Sequence, residues 1–146
     1  MWEEDGVMTL TMRLAKAQYQ YWREKLEKLD LYPGQPQLLL ALKAHEHVSQ
    51  KELAQTMDIT PATLTVMLKR MDGKRLVSRV SDAQDQRITR LCLTEKGREK
   101  VAEIEQMFAQ ANEMFKALFS SEEIETVCSM MNKMCGKLEE ITGINR

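Results

Sequence analysis

Apolar side chains recur along this chain with two different periods. From Met8 they fall at Met8, Met12, Ala15, Tyr19, Trp22, Leu26 and Leu29, in alternating steps of four and three. That spacing predicts a long amphipathic helix with a narrow seam, suited to packing against other helices. Tyr32-Pro33-Gly34-Gln35-Pro36 breaks it. Gln37 to His45 predicts the next helix. Its run Leu38-Leu39-Leu40-Ala41-Leu42 is apolar nearly all round and belongs at the centre of a core. Ser49-Gln50-Lys51-Glu52 is a capping box that opens a short helix through about Met57, with Leu53, Ala54 and Met57 inward. After a turn at Asp58-Ile59, Thr60 caps another helix and Pro61 suits its first position. Leu64, Met67, Leu68 and Met71 mark its buried stripe.

The period then changes to two. Leu76, Ser78 and Val80 share one face, and Val77, Arg79 and Ser81 the other; Ile88 to Leu93 resumes as a second strand. Two strands joined by the polar loop Ser81 to Arg87 predict a hairpin. Two short helices across a tight turn, followed by a hairpin with a charged tip, form a winged helix-turn-helix pattern. Thr94 caps a further long helix carrying Val101, Ile104, Phe108, Ala111, Phe115 and Leu118. Ser120-Ser121-Glu122-Glu123 is a second capping box, and the last helix carries Val127, Met131, Met134, Leu138 and Ile141 before a stop at Gly143. The fold class is therefore mainly α, an α+β winged helix. Residues 1–32 form an N-terminal dimerisation helix, 33–94 a winged domain and 95–146 C-terminal dimerisation helices. The seams of these terminal helices have no sheet to cover them, so a homodimer is the economical answer.

Charge sharpens this picture. The net charge is −1, yet residues 60–98 hold nine Lys/Arg and four Asp/Glu, a balance of +5 that leaves −6 elsewhere. A basic middle between acidic ends is the footprint of a local polyanion site. Opposite the buried stripe of the Thr60-capped helix lie Ala62, Val66 and Lys69, with Thr63, Thr65 and Arg70 at the edges. That small, short face ending in cations suits close approach to a nucleic-acid groove. The other chemistry is sparse. Three cysteines without a Cys-x-x-Cys pair fit a reducing cytoplasm. Met1 to Asp5 is acidic and lacks a signal-peptide pattern, and no apolar run nears the roughly 20 residues of a membrane span. There is no Gly-rich phosphate loop, catalytic triad or metal cluster, so an enzyme, a cofactor or a resident metal is not expected. His45-Glu46-His47 contains both histidines of the chain and reads as a helix end satisfied by carbonyls.

Three stretches carry a resemblance to the MarR family of bacterial transcriptional regulators. They are Ser49 to Ala54; Thr63-Leu64-Thr65 with Leu68-Lys69-Arg70-Met71; and Asp85-Gln86-Arg87 running on to Leu91-Cys92-Leu93-Thr94-Glu95-Lys96-Gly97. The last is similar to the family's wing signature, Asp-x-Arg followed by Leu-Thr-x-x-Gly. The resemblance implies a dimer of winged helix domains acting chiefly as a repressor in the cytoplasm on double-stranded DNA with a pseudo-palindromic operator. The candidate DNA-binding residues are Pro61, Ala62, Thr63, Thr65, Val66, Lys69 and Arg70, with Asp85, Gln86 and Arg87 on the wing. Arg87 is implied to enter the minor groove, and Asp85 to hold the wing's shape. One departure concerns the turn before Leu76-Val77, where the family usually has glycine and this chain has Arg75. Either the helix ends sooner, at Gly73, or Arg75 adopts a left-handed conformation.

The resemblance also implies release from the operator by a small molecule or an oxidative signal. Met12, Tyr19 and Trp22 are candidate effector-binding residues, although seam and core packing is the preferred explanation of them. The recognition helix resembles the peroxide-sensing branch, whose reactive cysteine lies in the N-terminal helix; this chain has none there. The alternative function is a winged helix used for protein interaction without sequence-specific DNA binding.

Overall fold

The computed structural model describes residues 6–143. The acidic Met1–Asp5 start lies outside the described residues. Six helices and three strands follow in the order α1 (Val7–Lys28), α2 (Gln35–Ala44), β1 (Val48–Ser49), α3 (Gln50–Thr56), α4 (Pro61–Asp72), β2 (Val77–Ser81), β3 (Thr89–Leu93), α5 (Glu95–Lys116) and α6 (Ser121–Thr142). Contacts divide the chain into two compact units, Met1–Glu105 and Gln106–Arg146, with the boundary inside α5.

The mainly α reading with a small sheet is borne out, with local corrections. The long N-terminal helix stops before the Pro-Gly segment. Asp30 takes a left-handed conformation at φ 55°. The Leu31 amide donates to the Leu26 carbonyl at 2.8 Å and the Asp30 amide to that of Glu27 at 3.0 Å. This is a Schellman ending, with aspartate where glycine is usual. It buries Leu26 and Leu31 together. Helix α3 ends in the same way: Asp58 has φ 51°, and the Ile59 amide reaches the Ala54 carbonyl at 3.0 Å. That motif is the turn between α3 and α4.

Helix α2 starts two residues earlier than its apolar run suggested, since Pro36 sits in the first turn and Gly34 precedes it at φ 91°. Leu38, Leu39 and Leu42 are fully enclosed, as expected of the central helix. Leu53, Leu64, Leu68, Met71, Leu76 and Leu91 join them in the core of the first unit.

The hairpin gains a third strand that alternation did not reveal. Val48 pairs antiparallel with Leu91 and Ser49 with Arg90, so the order is β1-β3-β2. Only two residues of β1 pair, too few to show a period. Its presence makes β3 the central strand, and Leu91, Cys92 and Leu93 are all buried despite alternating sides. The Cys92 Sγ lies 3.1 Å from the Ser78 Oγ, its partner across the ladder.

Along α5, Val101, Ile104, Met107 and Ala111 are buried; Met107, rather than the expected Phe108, is the enclosed member. Exposed apolar residues crowd the long helices. They include Met8, Leu10 and Met12 on α1, Phe115 on α5, and Met130, Leu138 and Ile141 on α6.

Candidate nucleic-acid interface

Helix α4 is set by its caps. The Thr60 Oγ1 accepts from the Thr63 amide at 3.1 Å, and Pro61 occupies the first turn. Leu64, Leu68 and Met71 are buried against the core. Pro61, Ala62, Thr63, Thr65, Val66, Lys69 and Arg70 are all exposed. Val66 is half exposed, although it is β-branched and apolar. Neither Lys69 nor Arg70 has a side-chain partner among the described residues. The Thr65 Oγ1 donates to the Pro61 carbonyl at 2.8 Å, which occupies its proton and leaves its lone pairs to accept.

The far end of α4 is fastened from several sides. The helix stops at Asp72, Gly73 caps it in right-handed geometry, and Arg75 is left-handed at φ 56°. Both ways of accommodating the missing glycine therefore occur. The Thr94 Oγ1 donates to the Arg75 carbonyl at 2.7 Å. Lys74 is engaged within the fold: its Nζ is 2.8 Å from the Asp30 Oδ1 and 5.4 Å from the centre of the Tyr32 ring. Arg79 pairs with Asp72 at 2.7 Å, and Arg98 with Glu46 at 2.6 Å. Much of the basic excess thus serves the fold, and the exposed cations of this stretch without a partner among the described residues are Lys69, Arg70, Arg75 and Arg87.

The wing runs from Asp82 to Ile88, whose backbones close it with the Asp82 amide on the Ile88 carbonyl at 2.8 Å. Asp85 holds the tip's shape. Its Oδ1 accepts from the Arg87 amide at 3.0 Å, and its carbonyl accepts from the Ile88 amide at 2.9 Å. The pairing is to the backbone of Arg87, so its exposed guanidinium has no protein partner among the described residues. Gln86 is exposed beside it.

Asp82 organises the base of the wing, and sequence reading missed it. Its Oδ1 accepts from the amides of Gln84 (2.8 Å) and Asp85 (3.0 Å), and its Oδ2 accepts from the Arg90 Nε at 2.6 Å. The signal was an aspartate two and three residues ahead of amides that need acceptors, an Asx turn. The Asp85 amide, followed by the Arg90 hydrogen bond and the Gln84 amide, holds the Asp82 carboxyl down to about 2, from an ordinary 3.8. A lowered folded-state pKa means this contribution is complete above 3.8 and is lost as pH falls through about 2. The wing is expected to stay fastened at pH 5. Carboxyl-carbon NMR should place the Asp82 midpoint well below 3.8; a midpoint at or above that value removes the network.

The three candidate effector residues do not gather. Tyr19 lines a concavity of about 430 Å³ with Arg23, Glu27, Asp30, Leu31, Tyr32 and Pro33. Met12 lines a separate hollow with Arg13 and Lys16. Trp22 packs edge-on against Tyr21, with ring centres 5.0 Å apart. Among the described residues no cluster of metal-ligating groups occurs, His45 and His47 included. No described helix is long and apolar enough to cross a membrane.

The model of the MarR family matches residues 29–88, from the end of α1 through the wing. The transcriptional regulator HosA of Escherichia coli is 31% identical over 113 residues, covering 77% of this chain and 82% of that protein. The chain belongs to the MarR family. The transcriptional repressor MdtR of Bacillus subtilis is 33% identical over 81 residues, 56% of this chain; the match spans about half of that relative, 52%. Among solved structures, a complex of Staphylococcus aureus MepR with DNA matches with a TM-score of 0.76 at 26% identity, covering 90% of this chain and 98% of that one.

The MarR-type ending Leu-Thr-x-x-Gly has a physical reason in this fold. The Thr94 Oγ1 accepts from the Gly97 amide at 3.0 Å, capping α5, while the Thr94 amide donates to the Leu76 carbonyl at 3.1 Å. A Cβ on Gly97 would lie against that same carbonyl, far inside van der Waals contact.

Proposed function

We propose that this protein is a DNA-binding transcriptional regulator, a repressor acting as a homodimer on a pseudo-palindromic duplex in the cytoplasm, and not an enzyme. The observation that carries the reading is one continuous chemistry on two elements. The exposed face of α4 presents Ala62, Thr63, Thr65, Val66, Lys69 and Arg70, and the wing presents Arg87 with its backbone fixed by Asp85. Small side chains on a helix admit it to a major groove. Methyls meet thymine, and the Thr65 oxygen, its proton engaged, accepts from an adenine or cytosine amino group. Lys69 and Arg70 reach phosphates or guanine edges near the helix end, and Arg87 suits a narrow, strongly negative minor groove. The DNA-complex structure of MepR, similar over nine-tenths of the chain, supports this assignment.

Anisotropy on labelled duplex tests it. Affinity is expected to fall steeply as salt rises from about 50 to 200 mM, as counterions are released from phosphates. A flat log–log plot removes the electrostatic part of the reading.

Residues 1–32 and 95–146 are assigned to dimerisation and 33–94 to DNA reading. Met8, Met12 and Leu138 are each more than half exposed in the single chain. Such rows of apolar side chains call for a covering partner, and a two-fold dimer matches two half-sites one helical turn apart. Sedimentation at micromolar protein should give twice the 16.9 kDa of one chain; a single 16.9 kDa species overturns the dimer. The concavity lined by Tyr19 supports a small-molecule effector site there. For an oxidative signal the exposed thiols are Cys128 and Cys135 on α6, since Cys92 is enclosed.

A further inference from the structure

One side chain ties the base of the wing to the first turn of α3. Arg90, on the central strand β3, points two donors in different directions. Its Nε donates to the Asp82 Oδ2 at 2.6 Å, at the base of the wing, and its Nη1 donates to the Glu52 Oε2 at 2.9 Å, on the first turn of α3. Each carboxylate is already anchored to backbone. Asp82 holds the amides of Gln84 and Asp85. Glu52 accepts from the Ser49 amide at 2.7 Å as the return arm of the α3 capping box. Arg90 therefore ties two backbone-fixed carboxylates, one in each reading module. The planar guanidinium, which keeps its charge, fits this better than a lysine ammonium. The Asp82 and Arg90 side chains are largely enclosed, with exposures of 16% and 26%.

We infer that the Glu52–Arg90–Asp82 bridge is a positioning device for DNA reading: it fixes the wing, and with it Arg87, relative to the helix-turn-helix. This rests on the DNA-binding reading above. The reason is entropic. A hairpin joined to its domain only by its strands wanders at the tip, and binding must then order it. With the bridge closed, much of that ordering has been done before DNA arrives. None of the three residues needs to touch DNA, so their effect should pass through Arg87.

Two substitutions open the bridge while sparing local structure. Asp82→Asn keeps an oxygen for the Gln84 and Asp85 amides but loses the charge that holds Arg90. Glu52→Gln keeps the capping box, which glutamine also closes, and weakens the other arm. Each is made alone and with Arg87→Ala in the full chain. The probe is a fluorescein-labelled duplex selected by the parent protein from random-sequence DNA. Asp82→Asn is expected to weaken binding roughly five- to twenty-fold, in the range of couplings within one ion-pair network. In the Arg87→Ala background the same change should shift affinity less than about twofold, because the wing then has no reader to position. Melting temperatures should stay near the parent's. Equal losses with and without Arg87, or no loss from either substitution in a folded protein, overturn the inference while leaving the DNA-binding reading intact. If the parent selects no duplex, that reading fails, and the inference with it.

Discussion

Arg87→Ala is expected to weaken operator binding by about 1–3 kcal/mol, roughly ten- to a hundred-fold, while the protein stays folded. The guanidinium is exposed and has no protein partner among the described residues, and its amide, which Asp85 holds, is kept in the variant. Removing an exposed charge away from any cap usually changes stability by about 0.5 kcal/mol or less. The loss should be largest where A·T-rich sequence narrows the minor groove, since there the potential favours arginine most. Lys69→Ala is the control. If Lys69 meets phosphate, its loss weakens operator and random duplex about equally; a guanine contact instead costs the operator more. Anisotropy on both duplexes, with melting followed alongside, separates these cases. If Arg87→Ala binds the operator as tightly as the parent, the hairpin is not a DNA reader.

Gly97→Ala is expected to destabilise the fold by about 3 kcal/mol or more, at the upper end of overpacking costs. The added Cβ would strike the Leu76 carbonyl, with the Leu93 side chain close behind. That carbonyl cannot simply retreat, because it accepts the Thr94 amide at 3.1 Å. Leu76, Thr94 and Gly97 form the joint between the β-hairpin and α5, so the strain falls on buried Leu76 and Leu93. Gly73→Ala is the contrast, since nothing lies within 4 Å of a Cβ there and Gly73 is right-handed. Chemical denaturation should show a large fall in midpoint for the first and little change for the second. Equal stabilities would mean that the α5 joint yields more readily than its hydrogen bonds suggest.

Much of this architecture is legible in the order of residues alone. Periods of 3.6 and 2, two capping boxes and the Thr60-Pro61 start were enough for the helices and the hairpin, because caps and amphipathic stripes are local properties. The same periodicity identified the outward face of α4. The buried stripe Leu64, Leu68 and Met71 fixes what must point away from the core. Aspartates in left-handed geometry at positions 30 and 58 escaped notice, since nothing distinguishes them from solvated aspartates in a list of letters.

By itself, the order of residues determined the winged helix-turn-helix architecture, the buried centre at α2 and the candidate reading face, since each follows from side chains spaced along one element. Only the tertiary structure decided which charges remain free for a partner. Lys74 and Asp30 are 44 residues apart, Arg90 and Glu52 are 38 apart, and no local rule brings them together. The same holds for β1, whose two residues become a strand only because β3 arrives beside them. It holds also for Gly97, whose necessity comes from a carbonyl on Leu76 that approaches only when the hairpin packs on α5. Local spacing determines what an element exposes; the ion pairs and close contacts depend on which distant elements the core draws together.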